Sequence, residues 1–295
     1  LDDSEIDLYK TLVGDELRSG APLAEALLAG YAAFLCSPGY LYLPSPQPSA
    51  EQPLDQHYAI AQRLSHFLSS GPPDAELLSL AADGKLLQPD ILTAQTDRLL
   101  GRPERSRFVK NFTDHWLALR HLRRDTVDRR LYPEYRFDDY LIESLGGETR
   151  FFFETVLRDN LPVRTLVHSS FVVVNDRLTH HYELPAVAGS RMRSIQLPAA
   201  SIRGGLLTQG AVLKVTADGR TTSPVHRGVW VMDRLLGTPP PPPPPTVPAV
   251  TPDLRGSSSV REQLTAHLAD PRCGVCHAAF DPLGVVLENF DVMGA

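Results

Sequence analysis

The sequence predicts a mainly α-helical protein with few short β segments, and three observations support this prediction. Apolar residues recur at three- and four-residue spacing through most of the first 158 positions, which is the period of an amphipathic helix. A run of seven prolines, Pro239–Pro245, interrupts the chain and holds extended polyproline geometry at ~3.1 Å per residue. A short cysteine and histidine motif follows the last predicted helix. We therefore expect a helical body, a polyproline strut and a C-terminal segment that carries the motif.

The predicted helices of the first part are separated by turn residues. Gly20 and the turn at residues 37–39 end the first two, and a later helix begins at the Pro-Asp pair of residues 73–74 and ends at Gly84. The longest predicted helix is FDDYLIESLGGETRFFFETVLRDN. Its glycine pair at 146–147 costs about 1 kcal/mol of helix stability per glycine. We interpret this pair as a kink or a close helix crossing.

After residue 159 the sequence pattern changes. SSFVVVND predicts a short strand that ends at residues 175–176. IRGGLLTQGAVLKVT predicts a pair of helical turns after its glycines. TTSPVHRGVWVMDRLLG predicts a helix that is N-capped by a residue in 221–223 and has Pro224 in its first turn. Beyond the prolines, SSSVREQLTAHLAD predicts one more helix with a serine cap.

Composition excludes several classes of protein. The 295 residues suffice for one large domain or two modest ones. The net charge of −6 argues against a general nucleic-acid binder, which would show a basic face. No apolar run approaches the ~18 residues that span a membrane. The chain opens LDDSEIDLYK without a visible signal peptide, so we expect a removed targeting segment or a longer protein.

The three cysteines of the chain point to one chemical site. Three are too few for a disulfide scaffold. Cys36 lies in an apolar stretch and is predicted to be a small buried apolar residue. Cys273 and Cys276 precede His277 in C-x-x-C-H order, the motif of covalent haem c attachment. The two thiols would form thioethers, and His277 would ligate the iron. We expect one haem c.

Two other interpretations of the motif stay open. A zinc site normally needs four ligands, and no second C-x-x-C pair lies nearby in the sequence. A redox-active dithiol belongs to a βαβ context, which the sequence does not predict.

The sixth iron position decides between electron transfer and catalysis. Met293 follows the motif, but a separation of sixteen residues from His277 is a short reach around the haem edge. Among the histidines, His181 is favoured because its segment NDRLTHHY follows the predicted strand and contains a turn signal. An open position, where iron would bind peroxide or another small ligand, is the alternative.

Two arginines near glycines are candidate partners of the haem propionates. Arg203 precedes two glycines, and Arg227 precedes Gly228. Arginine pairs with carboxylates through two parallel hydrogen bonds. The alternative is that both arginines brace loop carbonyls. We also expect residues 281–284 (DPLG) to form a turn that reverses the chain over the haem edge.

These features predict four parts. Residues 1–158 form a helical domain, and residues 159–238 form a mixed helix and loop domain with short strands. Residues 239–253 form a polyproline linker. Residues 254–295 form a haem c-binding segment that packs on the preceding body.

Several segments resemble, in order, the large cytochrome c-like proteins that are rich in planctomycetes and also occur in myxobacteria. These segments are AQRLSHFLSSGPPDAELLSLAADGKL, VVVNDRLTHHYELPAVAG, IRGGLLTQGAVLKVT, RTTSPVHRGVWVMDRLLGTPPPPPPPTVP and CGVCHAAFDPLGVVLENFDVMGA. Such proteins are built of consecutive domains of unknown function, some named planctomycete surface domains. The resemblance runs from about residue 25 to the end of the chain.

The resemblance also bears on the distal ligand. The related pattern reads roughly N-E-R-L-A-x-H-Y-G, and His181 and Tyr182 fall on its H-Y, which favours His181 as the sixth ligand. Four positions depart from the pattern. They are Asp176, Thr179, His180 and Glu183. Because the family typically continues at both ends, we expect this chain to be the central haem-holding part of a longer polypeptide.

The resemblance implies an exported c-type cytochrome on the periplasmic or cell-surface side, whose single haem c transfers electrons in the bacterial envelope. Its partners would be a redox protein or a larger envelope assembly. Two alternatives remain: a peroxidase-like oxidoreductase with an open distal site, and a structural haem-bearing subunit of an envelope complex.

Overall fold

The computed structural model describes residues 3–43, 54–241 and 271–295, without the side chains of residues 3, 4, 271–273 and 275. Most of the predicted polyproline strut and the predicted helix SSSVREQLTAHLAD lie outside the described residues. By its contacts the chain divides into two compact units, Leu1–Phe108 and Val109–Ala295. The structure is 58% helix and 3% strand, which confirms the predicted fold class.

The first unit is helical throughout its described part. The entry predicted at residues 73–74 is confirmed, because the Asp74 side chain accepts a hydrogen bond from the backbone N–H of Leu77. Asp74 also pairs with Arg98, and this interaction lowers the pKa of the carboxyl to about 2. The helices are α1 (Asp3–Arg18), α2 (Leu23–Leu35), α3 (Pro38–Leu41), α4 (Asp55–Ser69), α5 (Ala75–Ala82), α6 (Pro89–Leu100) and α7 (Arg105–Trp116), the last of which continues into the second unit.

The second unit combines helices with a two-stranded sheet. Its antiparallel strands pair Phe171 with Gln196 and Val174 with Arg193. Four short 3-10 turns join the elements. The elements are α8 (Asp139–Arg158), β1 (Phe171–Val174), α9 (Asp176–His181), β2 (Arg193–Gln196), α10 (Gly210–Val215), α11 (Pro224–Arg234) and α12 (Pro271–Val285).

The predictions for α8, β1, α10 and α11 are confirmed. Ser223 is the N-cap of α11, since its side chain accepts from the N–H of His226, and Pro224 occupies the first turn. At the glycine pair of α8, the neighbouring groups are side chains, one of which, Arg150, belongs to α8 itself. A Cβ at position 147 would lie 2.7 Å from Met192 Cε, and one at position 146 would lie 3.3 Å from Leu122 Cδ2.

The core of the second unit is built around α8. Leu141, Leu145 and Phe152 are fully buried on one face of this helix. Buried residues of β1, α10 and the chain end join the same cluster, so α8 and the segments after residue 159 share one core. The apolar side chains of residues 287–293 therefore belong to the core.

Helix α12, which carries the C-x-x-C-H motif, lies in backbone contact with α11. A Cβ at Gly228 would lie 1.9 Å from the Phe280 carbonyl oxygen, and a Cβ at Gly284 would lie 1.7 Å from the Pro224 carbonyl oxygen. Neither position can hold a side chain without separating the helices. This crossing fixes α12 on the body.

The prediction of a turn at residues 281–284 is wrong, because these residues lie inside α12. Pro282 lies inside the helix, where it removes one N–H donor and its ring crowds the carbonyl oxygen four residues earlier, a cost that packing against α11 offsets. The chain leaves the helix at residues 286–289 instead. Cys36 is exposed, which corrects the prediction that it is buried. None of the helices in the described ranges combines the length and apolar character that a membrane crossing requires.

Candidate functional site

The C-x-x-C-H motif occupies the first two turns of α12, which begins at Pro271. Cys276 is exposed, and the described side chain of His277 is 20% exposed. The backbone of Cys273 lies in the same helix, three residues before Cys276. Residues three and four apart share one face of a helix. The motif is therefore presented at the surface end of a helix that is anchored at its other end.

His277 is held by a buried carboxylate. Its Nδ1 lies 3.1 Å from both Oδ1 and Oδ2 of Asp281, one helical turn further along α12. Asp281 is 1% exposed, and the Phe280 ring packs against the imidazole at 4.8 Å between centroids. Metal-ligating histidines commonly donate their second ring N–H to a carboxylate, which sets the ring orientation. With Nδ1 engaged in this way, Nε2 is the nitrogen that would ligate iron.

The residues present fit a covalent haem. Attachment needs two cysteines on one side of a helical turn and one imidazole nitrogen, and α12 carries these residues in that order. A zinc site needs about four clustered protein ligands. Within the described ranges, no group of three or more His, Cys, Asp or Glu side chains could hold a metal ion.

His181, the predicted distal ligand, is buried at the end of α9. Its Nε2 lies 3.0 Å from the carbonyl oxygen of Met293, and its ring meets the Tyr135 ring edge at 5.6 Å. Burial lowers the pKa of His181. Because a carbonyl oxygen can only accept, Nε2 carries the hydrogen in this contact. His181 is thus joined to the chain end, while His277 is joined to Asp281. Iron ligation by His181 stays a prediction.

Arg203 supports the last residues of the chain. Its guanidinium donates to the carbonyl oxygens of Thr208 at 3.0 Å and Gly294 at 2.6 Å. The same group stacks over the rings of Tyr182 at 3.9 Å and Phe290 at 4.9 Å. Arg203 therefore braces loop carbonyls, which is the alternative that the sequence left open.

Arg227 makes the same kind of contact from a fully buried position. One terminal nitrogen donates to the carbonyls of Leu287 at 2.6 Å and Phe290 at 3.1 Å and to Glu288 Oε1 at 2.8 Å; the other donates to the carbonyl of Asp291 at 3.0 Å. Burial lowers the pKa of Arg227. Contact of either arginine with a haem propionate stays a prediction.

Sequence reasoning missed a buried acid next to the predicted distal histidine. Glu148 is 1% exposed. Its Oε2 accepts a hydrogen bond of 2.6 Å from the Tyr182 hydroxyl, which itself accepts from the N–H of Gly210 at 2.9 Å. Burial raises the pKa of Glu148 to about 7. The sequence contained a signal for this burial, because Glu148 lies on the same face of α8 as the buried residues Leu145 and Phe152.

Two family models match the chain. Residues 56–184 match PSD4, a protein of unknown function (DUF1592), and residues 203–295 match PSCyt3, a protein of unknown function (DUF1588). Both are planctomycete cytochrome-like domains. The first match contains His181, and the second contains the C-x-x-C-H motif. Searches of curated proteins and of solved structures found no match.

Proposed function

Because the chain belongs to the planctomycete-type cytochrome-like proteins of unknown function, as its sequence predicted, we propose that it is an exported c-type cytochrome. One haem c is attached through Cys273 and Cys276, and His277 ligates the iron. When bound, this group supplies a one-electron couple. The protein transfers electrons in the bacterial envelope, to or from a redox protein or within a larger assembly.

The observation that carries this proposal is the pairing of His277 Nδ1 with the buried carboxylate of Asp281. Burying a carboxylate is costly unless its charge is paired. A histidine with only a structural role at the surface gives little reason to bury a carboxylate beside it. A metal ligand gains a fixed ring and a more basic Nε2. Asp281 therefore orients His277 for the iron.

A pyridine haemochrome spectrum of the 295-residue chain, produced in a bacterium that attaches haem c in its periplasm, tests the proposal. We expect the spectrum of thioether-linked haem at one haem per chain. Replacing Cys273 and Cys276 by serine removes covalent haem. Cys36→Ser is the matched control and keeps the haem, because Cys36 is the remaining cysteine of the chain and lies outside the motif. A wild-type chain without covalent haem contradicts the proposal.

A second candidate is a peroxidase-like oxidoreductase with an open distal site. The observation that favours it is the hydrogen bond of His181 Nε2 to the Met293 carbonyl, since a nitrogen used there does not ligate iron. A six-coordinate low-spin spectrum that carbon monoxide leaves unchanged supports electron transfer. A five-coordinate high-spin spectrum with rapid peroxide reaction supports the oxidoreductase.

A further inference from the structure

The second unit contains a cavity of about 200 Å³ that neither the haem motif nor the family matches explain. It lies between the segment at residues 122–142, α10 and the chain end. Apolar side chains form much of its wall, among them Leu122, Ile142, Phe137 and Met293. A cavity of this size is smaller than the ~300–1,000 Å³ of most drug-sized ligand pockets, so it suits a small molecule.

The carboxylates that line this cavity are already neutralised. Each of the three lies within 2.8 Å of an arginine nitrogen, and one of these arginines, Arg123, also pairs with Glu143 outside the wall. The pairs are Asp125 with Arg124, Asp138 with Arg177 and Asp139 with Arg123.

Three cations of the wall, in contrast, form no ion pair with any described residue. Arg129 and Arg136 stack on the exposed ring of Phe137, at 4.5 and 4.8 Å from its centroid. Lys214 is 5% exposed, and its Nζ donates to the backbone carbonyl of Asp125 at 2.7 Å. An ammonium has three N–H donors, so this bond uses only one. The cavity thus has an excess of positive charge with a buried ammonium in its wall.

We infer that this cavity binds a small organic carboxylate. The carboxylate pairs with Lys214, where the low dielectric strengthens the interaction and adds to the longer-range attraction of Asp125. Arg129 and Arg136 attract the anion to the entrance. The apolar walls hold an aliphatic or aromatic body of a few heavy atoms.

Two sources can supply this carboxylate: a small organic acid in solution or the propionates of the haem. The chemistry is the same in both. The N–H groups of Arg203 and Arg227 that donate in this structure are directed to backbone carbonyls and to Glu288. Lys214 keeps donors for a carboxylate, which makes it the stronger candidate.

Isothermal titration calorimetry with benzoate and benzamide tests the inference. The two molecules have nearly the same shape, but only benzoate carries a charge. We expect benzoate to bind the 295-residue chain at least tenfold more tightly than benzamide. Equal affinities, or no heat of benzoate binding at millimolar concentration either to this chain or to the same chain with Cys273 and Cys276 replaced by serine, would overturn the inference.

Variants test whether the cations of the cavity cause the preference for benzoate over benzamide. Lys214→Met keeps the length of the side chain and should weaken benzoate binding at least tenfold while leaving benzamide unchanged. The double variant Arg129→Gln, Arg136→Gln changes two exposed residues, so it should fold normally. It should weaken benzoate binding and reduce the dependence of that binding on salt concentration. Lys85→Met is the control, because Lys85 is exposed and paired with Asp83 in the first unit. Benzoate affinity unchanged in both cavity variants contradicts the inference.

One comparison distinguishes the two sources of the bound carboxylate, a free organic acid and the haem propionates. The chain with Cys273 and Cys276 replaced by serine cannot hold covalent haem, and the unchanged chain can. Benzoate binding to both indicates a free acid, and binding to the serine variant alone indicates the propionates. Absence of binding to both overturns the carboxylate site. The serine variant is tested without haem, so failure of haem attachment and failure of the cavity site remain distinguishable.

Discussion

At the scale of single residues, the proposed function depends on a histidine that is paired with a buried carboxylate. Asp281 is almost completely buried, yet it faces a histidine next to the proposed attachment cysteines. A buried carboxylate hydrogen-bonded to a ligand imidazole increases its electron donation to iron and so stabilises the oxidised metal.

Replacing Asp281 by asparagine should therefore raise the reduction potential of the proposed haem. A tenfold loss of preference for the oxidised iron corresponds to about 60 mV for one electron, and second-shell changes of about 10- to 100-fold predict a rise of roughly 60–120 mV. Spectroelectrochemical titration measures it. Asp159→Asn, at an exposed helix end, is the control and should leave the potential unchanged. The same potential in both variants would remove Asp281 from the iron's environment.

His181 presents the opposite situation, since its one described hydrogen bond is to the chain end. If it is the sixth ligand, His181→Ala converts low-spin iron to high-spin iron because the distal position loses its nitrogen. Absorption and electron paramagnetic resonance spectra measure the change. His226→Ala, an exposed histidine on α11, should keep the low-spin signal. An unaltered spectrum in His181→Ala would exclude this histidine as the sixth ligand.

At the scale of elements, the position of the motif helix depends on two glycines. Gly228 of α11 and Gly284 of α12 allow the backbones to touch. The sequence predicted α11 and its serine cap, because caps and helical period are local. It did not predict the crossing, since Gly284 meets Pro224, sixty residues earlier in the chain.

Gly284→Ala should destabilise the second unit by about 3 kcal/mol or more, because the new methyl group would overlap a backbone carbonyl that cannot rotate away. Gly189→Ala is the matched control. There the Cβ meets open space, and only the left-handed backbone costs about 1 kcal/mol. Urea unfolding followed by tryptophan fluorescence gives both values, as Trp116 and Trp230, the two tryptophans of the chain, lie in the second unit. Equal costs would show that the helices can separate.

At the scale of the whole molecule, the buried Glu148 network links stability to pH. The folded state raises the pKa of Glu148 from its ordinary value of 4.5 to about 7, because burial disfavours the charged form. Between these two pH values the unfolded chain releases a proton that the folded chain keeps. The stability that the neutral acid contributes is therefore complete below pH 4.5 and is lost as pH rises to about 7.

The loss should amount to about 3 kcal/mol for the second unit. Glu148→Gln keeps the shape of the side chain but cannot ionise, so the difference in unfolding free energy between wild type and this variant should change by that amount from pH 4.5 to 7.5. Glu134→Gln, at an exposed position, is the control and should follow the wild-type curve. A difference that stays constant with pH contradicts the burial of an ionisable Glu148.

Much of the local structure of this protein can be predicted from its amino-acid sequence. Helix period, the Asp74 and Ser223 caps, the strand before Asn175 and the C-x-x-C-H motif all depend on residues within one or two turns of each other, where propensity and spacing act directly. The same locality explains the error at residues 281–284, where turn-forming residues are held in a helix by packing against α11.

The sequence by itself determined the helical class, several of the helix ends and the identity of the candidate haem residues. Tertiary structure alone decided the partners of those residues: the carbonyls that Arg227 binds lie 60–64 positions away, and the carbonyl that His181 binds lies 112 positions away. Burial of Glu148, the contact of Gly284 with α11 and the burial of Lys214 have the same origin. Each depends on which distant backbone reaches the side chain, and that is settled only when the apolar surfaces pack.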